Sequence, residues 1–346
     1  MELKTKYQYT YFIYPYIIKQ KNLNRYFLSL LKNPSFEMKT FDKEKDEDLY
    51  SYFLPKVRNT MFWTMGLNRS KLTKFYDLDV ATQATLLTEY PCTMFEYSLN
   101  EDIQGKAGKR DGIFFDITNI TLVCLNTGIC FMLMKTMLEG ENSLANICNF
   151  NYKFRDINQE FANMNNYDNI RVQTDYFADV QYFKDFISGI TGPMTEALKL
   201  DIDTERFLTF SYVCIDQEAW NNTNEFDNIR SNYMKFLNIL PSDNSVNYSK
   251  EDMKVISKWK YAKLGVTKQG VTLFGSSCDM NNYTVFPHEF EKQYLYTYIL
   301  ALYTKIYLRK INLEFEQNIN INKARKEFIY FTQTLWINEV TSDDTG

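Results

Sequence analysis

The sequence predicts an α+β (α/β) protein made of two related β-α-β-β-type halves that form mixed sheets, followed by long C-terminal helices. Three observations carry this reading. Residues 7–18 alternate in β-forming side chains, residues 117–134 carry no charge around an Asn126-Thr127-Gly128 turn, and from Phe290 onward apolar residues recur at helical spacing. The divisions that follow are 1–200 for the first half, 201–285 for the second and 286–346 for the closing helices.

The opening strand, 7–18, is followed after Asn22 by a short helical pattern through Leu23, Phe27, Leu30 and Leu31. The charged stretch 42–48 reads as an exposed turn leading into a second helix over 49–57, and 68–79 reads as loop or short helix. Residues 92–99 are strand-like and precede a polar loop, 101–112. The uncharged stretch 117–134 is the one segment to test as a membrane span, which needs about 20 mostly apolar residues. Its central Asn-Thr-Gly cluster favours two buried strands joined by a turn. Ser143 is placed to cap a helix running through Phe150 and Phe154.

A second cycle starts near Arg206. Residues 207–215 form a dense strand pattern. Phe226, Ile229, Tyr233, Phe236, Leu237 and Leu240 repeat at helical spacing, and 261–275 reads as a hairpin around Lys268-Gln269-Gly270. The order strand, helix, hairpin repeats that of the first half in pattern, not in identity. Beyond Pro287, Phe290, Tyr294, Tyr298, Leu302, Ile306 and Leu313 mark one long helix, and a further pattern runs over 324–340. The ending Thr341-Ser342-Asp343-Asp344-Thr345-Gly346 resembles a helix start or turn cut short inside a longer protein.

Composition narrows the chemistry. At 45% hydrophobic and 24% charged residues the chain is an ordinary globular one, and a net charge of −4 disfavours a duplex nucleic-acid partner. A single histidine, His288, excludes multi-histidine metal sites within one chain, and at a helix start it reads as a capping or surface residue before a general base. The 12 glycines form neither GxGxxG nor a Walker pattern. Six cysteines without a CxxC read as reduced, mostly buried thiols of a cytosolic protein. No nucleophile elbow or acid–base carboxylate pair stands out, so the chain is read as a non-enzyme. The 16% aromatic content fits either base stacking or the composition of an AT-rich coding sequence, and composition is the leading account.

Three places offer binding chemistry. The stretch 105–112 holds three glycines with Lys106, Lys109 and Arg110, a potential phosphate cradle or a solvated hairpin loop. Asn151 and Arg155 lie four apart on one helix face beside Phe154, an amide and a guanidinium able to act together or the amphipathic end of a helix. Arg58 and Trp63 pair a cation with a ring, though core packing leads there.

The hairpin 120–134 with its Asn126-Thr127-Gly128 turn, the string Asn149-Phe150-Asn151-Tyr152-Lys153-Phe154-Arg155, the string Phe286-Pro287-His288-Glu289-Phe290 with Tyr294, Tyr298, Leu302 and Tyr303, and the terminal Asp343-Asp344-Thr345-Gly346 carry a resemblance over most of the chain. In layout and short strings it resembles the cytosolic part of CorA-like bacterial membrane proteins, including those encoded beside type III CRISPR systems. The resemblance implies a cytosolic α/β domain on the inner face of the cell membrane, a helical stalk, a pair of membrane helices and a homo-oligomeric ring. For the CRISPR-associated members it implies an antiviral effector gated by a nucleotide second messenger, an S-adenosylmethionine–AMP conjugate. The transporter's Gly-Met-Asn motif and both membrane helices are absent from these residues, so any pore is expected beyond Gly346. On this reading Arg155 with Lys109 or Arg110 holds phosphate, Asn151 meets a polar edge, and Phe154 or Trp63, with Arg58 nearby, lies against a ring. No cofactor is expected. The alternatives are a regulatory domain of a divalent-cation transporter, with Mg²⁺ at carboxylate pairs, and a soluble enzyme that cleaves a nucleotide messenger.

Overall fold

The computed structural model describes residues 3–99, 103–107, 113–140, 142–155, 170–173, 180–198, 206–216, 220, 226–244, 253–316 and 321–342. Its class is α+β, as the sequence leads one to expect, and its centre is a single mixed sheet. The first strand, β1 (Thr5–Ile18), lies between β10 (Leu208–Ile215) and β6 (Ile129–Leu138), antiparallel to both. On the β6 side the sheet continues through β5 (Ile113–Leu125) to β4 (Ile103–Ala107), β7 (Ile170–Gln173) and β8 (Val180–Tyr182). The far part of β5 also pairs with β3 (Cys92–Tyr97), which holds β2 (Phe36–Lys39). A short β9 (Thr195–Ala197) pairs with the end of β1. On the other side follow β13 (Gly270–Ser276), β12 (Ala262–Thr267) and β11 (Met253–Trp259).

The two predicted halves therefore share one sheet, joined at the β1–β10 pair. In each, the second strand of the hairpin lies beside the opening strand. The directions differ: β6 runs antiparallel to β1, whereas β13 runs parallel to β10, as a strand returning after a helical crossover does.

Helices cover both faces, so strands buried on two sides read as dense apolar runs. Along β1, Phe12, Tyr16 and Ile18 enter one core with α1 (Leu23–Lys32), α6 (Leu144–Phe154), α7 (Phe183–Thr191) and α8 (Phe226–Leu237). Tyr9, Tyr11 and Ile13 enter the other, with α2 (Glu47–Tyr52), α3 (Pro55–Met61) and the C-terminal α9 (Phe286–Glu289), α10 (Leu295–Glu316) and the Phe331 turn after α11 (Ile321–Tyr330).

Local chemistry explains most boundaries. Ser143 accepts the Asn146 N–H at 3.3 Å and starts α6 as expected. The helix expected over 49–57 is two: Pro55 cannot donate to the preceding turn and instead opens α3. Residues 68–79 contain a helix, α4 (Arg69–Tyr76), and Asp79 caps a further one, α5 (Val80–Leu87), by accepting from the Ala81 and Thr82 N–H groups. The polar stretch 101–112 is not all loop, since Ile103–Ala107 pairs on both edges as β4. Polar composition is a weak guide where neighbouring strands satisfy the backbone.

Cys92, Cys124, Cys130, Cys148 and Cys214 are buried, and Cys278 is exposed. Burial pushes the Cys148 and Cys214 thiols up to about 12, leaving little thiolate near neutral pH. Brief N-ethylmaleimide treatment of the native protein is expected to label Cys278 and spare the other five until denaturant is added. Peptide mass spectrometry reads this out, and early labelling at Cys148 or Cys214 contradicts the packing described.

Candidate functional site: a cationic cleft beside the C-terminal helix

The sequence-predicted residues on α6 lie together, but they face inward. Asn151 is buried and donates from Nδ2 to Ser211 Oγ at 3.2 Å, while Ser211 and Thr10 share a hydroxyl contact of 3.0 Å. The amide thus ties α6 to β10 and β1. Phe154 is fully buried among Phe12, Phe115, Phe150 and Phe207, with ring centroids at 4.4, 4.8, 5.0 and 6.1 Å. Arg155 is buried as well. Its Nη1 donates to Gln269 Oε1, its guanidinium lies 5.1 Å from the Tyr152 ring centroid, and its carbonyl accepts the Phe207 N–H at 2.9 Å.

Trp63 stacks flat on Tyr90, centroids 3.6 Å apart and planes within 5°. Arg58 donates to the carbonyls of Tyr50 and Phe53 at 2.5 and 2.8 Å, and its guanidinium lies 4.0 Å from the Tyr50 ring centroid, which ties it to the end of α2. Lys109 and Arg110 lie outside the described residues, and Lys106 belongs to β4. The ring and cation pairings seen in the sequence are therefore packing and helix-end contacts.

A different set of side chains converges where the sheet meets the start of α10. A cleft of about 450 Å³ opens there, within the usual range of small-molecule sites. Two departures from regular structure build it. On its floor, Ile117 pairs with Thr136 and Asn119 with Lys135, so Thr118 is the extra residue of a β-bulge. Across from it, Phe290–Tyr294 forms a π-helical turn between α9 and α10. Such turns are rare and recur at functional sites.

At the centre, Lys135 Nζ donates to both carboxylate oxygens of Glu291, at 2.8 and 2.7 Å, and the Tyr11 hydroxyl donates to Glu291 Oε1. The two charged side chains keep only 15% and 21% of their surface exposed, so the pair is shielded more than a surface ion pair. Lys135 Nζ also lies 4.9 Å from the Tyr9 ring centroid. Burial, and next the Glu291 charge, raise the Tyr11 hydroxyl well above the ordinary tyrosine range, so it remains a donor.

Lys39, Lys292 and His288 complete the walls. Lys39 pairs with Glu96, and Lys292 with Asp48 at 2.7 Å. Thr121 Oγ1 donates to Asn119 Oδ1 at 2.9 Å, whereas the buried Thr118 Oγ1 has no hydrogen-bond partner among the described residues. Three ammonium groups and an imidazole line the cleft, with amide and hydroxyl groups beside them, and each ammonium is paired with a carboxylate: Lys135 with Glu291 inside the cleft, Lys39 with Glu96 and Lys292 with Asp48 at its edge. Such a donor set suits a small anion.

None of these residues stands out in a motif. The signal for Lys135 is its position, as the first charge after the uncharged run 117–134. His288, read from the sequence as a helix-start surface residue, is exposed on α9 at the cleft rim.

Comparison with family models, curated proteins and solved structures finds no match. Among the described residues no helix is long and apolar enough to cross a membrane, and no group of three metal-ligating side chains occurs.

Proposed function

We propose that this chain senses a small anionic ligand in the Lys135 cleft and passes the signal into its C-terminal helices. The observation that carries the reading is the location of the cleft: its cations come from β2, β6 and the segment immediately before α10, so an anion held there contacts the sheet and the helix start at once. A ligand moves a helix only through unequal affinity for two positions, and a site that spans the joint supplies that difference.

The resemblance to CorA-like effectors suggests the ligand and the context. On that basis the ligand is the S-adenosylmethionine–AMP conjugate, the protein is a homo-oligomer at the cytoplasmic face of the cell membrane, and the closing helices act on membrane segments of the same effector. Three lysines within one cleft suit a single phosphodiester without requiring a basic protein surface.

Isothermal calorimetry with the conjugate, ATP and S-adenosylmethionine tests this. Binding heat is expected from the conjugate and not from S-adenosylmethionine, which lacks phosphate. Heat from ATP alone removes the messenger and retains an anion sensor, and no heat from any phosphate-bearing ligand removes the sensor reading.

A further inference from the structure

We infer that the Glu291 carboxylate is a built-in stand-in for the ligand's anion, and that a phosphate-bearing ligand acts by displacing it from Lys135 and Tyr11. The inference rests on the cleft being the sensor site. Three hydrogen bonds from two sheet residues converge on Glu291: two from Lys135 Nζ and one from the Tyr11 hydroxyl. An ammonium and a hydroxyl aimed at one point form a donor set that serves a phosphate oxygen as well as a carboxylate. The other cleft cations, Lys39 and Lys292, are paired with carboxylates from β3 and α2, whereas Lys135 is held by a carboxylate of the very segment that leads into α10.

The backbone around Glu291 has the form such a device needs. Glu291 lies inside the π turn Phe290–Tyr294, whose wider ring of hydrogen bonds is the less stable alternative to an α-helical turn. α9 and the turn are pinned to the sheet at three successive places: Tyr9 donates to the Pro287 carbonyl of α9 at 2.7 Å, and in the turn Phe290 stacks on Phe210 at 4.1 Å and Glu291 meets Lys135. Of these, only the Glu291 contact is one that an anion can replace. Losing it releases the turn from β6 while Tyr9 keeps α9 in place, Phe210 holds Phe290 and Asp48 of α2 holds Lys292, so the change is directed into the end of the turn and α10. Thr118 lines the same cleft, and its shielded hydroxyl has no hydrogen-bond partner among the described residues.

Occupancy by Glu291 lowers the apparent affinity by the fraction of molecules in which the position is vacant. The test compares the full chain with Glu291→Gln, using inorganic pyrophosphate as the probe. Calorimetry is expected to show roughly tenfold or greater tightening in the variant. Hydrogen exchange without any ligand is expected to show faster exchange of the amides of residues 290–300 in Glu291→Gln. In the wild-type protein, saturating pyrophosphate is expected to produce the same acceleration, a readout that needs no variant. Equal affinities with unchanged exchange make the pair a structural tie and overturn the proposal, as does the absence of pyrophosphate binding to both proteins. If pyrophosphate behaves as described and the adenosylmethionine–AMP conjugate does not bind, the displacement mechanism stands and only the messenger assignment falls.

Discussion

Replacing Phe154 by alanine is expected to lower the stability of the protein by about 3–5 kcal/mol, the range for truncating a buried aromatic ring. The ring is completely shielded and lies between α6 and the sheet, in contact with Phe12 of β1, Phe115 of β5 and Phe150 of its own helix. Its removal leaves a cavity that four surrounding rings, themselves packed, cannot fill. Urea denaturation should show an earlier midpoint with an unchanged slope, as expected when stability falls without a change in the surface exposed. The measurement also separates two roles. A ring that served mainly to stack a ligand would be exposed before binding, and its loss would alter stability by about 0.5 kcal/mol or less while abolishing binding. A small stability change in Phe154→Ala would therefore restore the sequence-based role of this residue and contradict the packing.

Gly128→Val is expected to cost about 3 kcal/mol or more, from two additive causes. The residue has φ of +84°, a conformation that a β-branched side chain adopts only with strain, about 1–3 kcal/mol. In addition, a Cβ there would stand 2.2 Å from the Ile18 carbonyl oxygen, and the Ile18 N–H donates to the Gly128 carbonyl at 2.8 Å. The turn of the central hairpin is thus pressed against the end of β1, and backbone on both sides leaves no side chain to move aside. Gly140→Val is the control: φ is +69° there, but among the described residues nothing lies within 4 Å of the added Cβ. Chemical denaturation of both variants should show a clearly larger loss for Gly128→Val, and equal losses would mean that the close approach to β1 does not exist.

Elements governed by neighbouring residues are legible in the sequence. The Asn126-Thr127-Gly128 turn joins β5 to β6, Ser143 caps α6, and the periodic residues from Phe226 to Leu237 form α8, because turn geometry, capping and helical period are properties of a few consecutive residues. Pro55 is equally local in its effect, although the apolar pattern across it suggests a single helix. Strand β4 is hidden because its partners, β5 and β7, rather than its own composition, make it a strand. Asn151 and Arg155 do share a helix end, as their spacing requires, but spacing cannot say whether that end meets solvent or the sheet.

The cleft lies at the opposite extreme. Lys135 and Glu291 are separated by 156 residues, and Tyr11 lies farther still along the chain, so no window of sequence contains the site. By itself the sequence determined the α+β class, the central hairpin and the long closing helix, all of which follow from local periodicity. Tertiary structure alone decided that both halves join in one sheet, that Phe154 is a packing ring, and that a bulge and a π turn bring Lys135 and Tyr11 to the Glu291 carboxylate. The physical reason is that β1 and its neighbours are buried on both faces. Their alternation is then apolar in either direction, and only the pairing of distant strands and the seating of α10 determine which side chains meet.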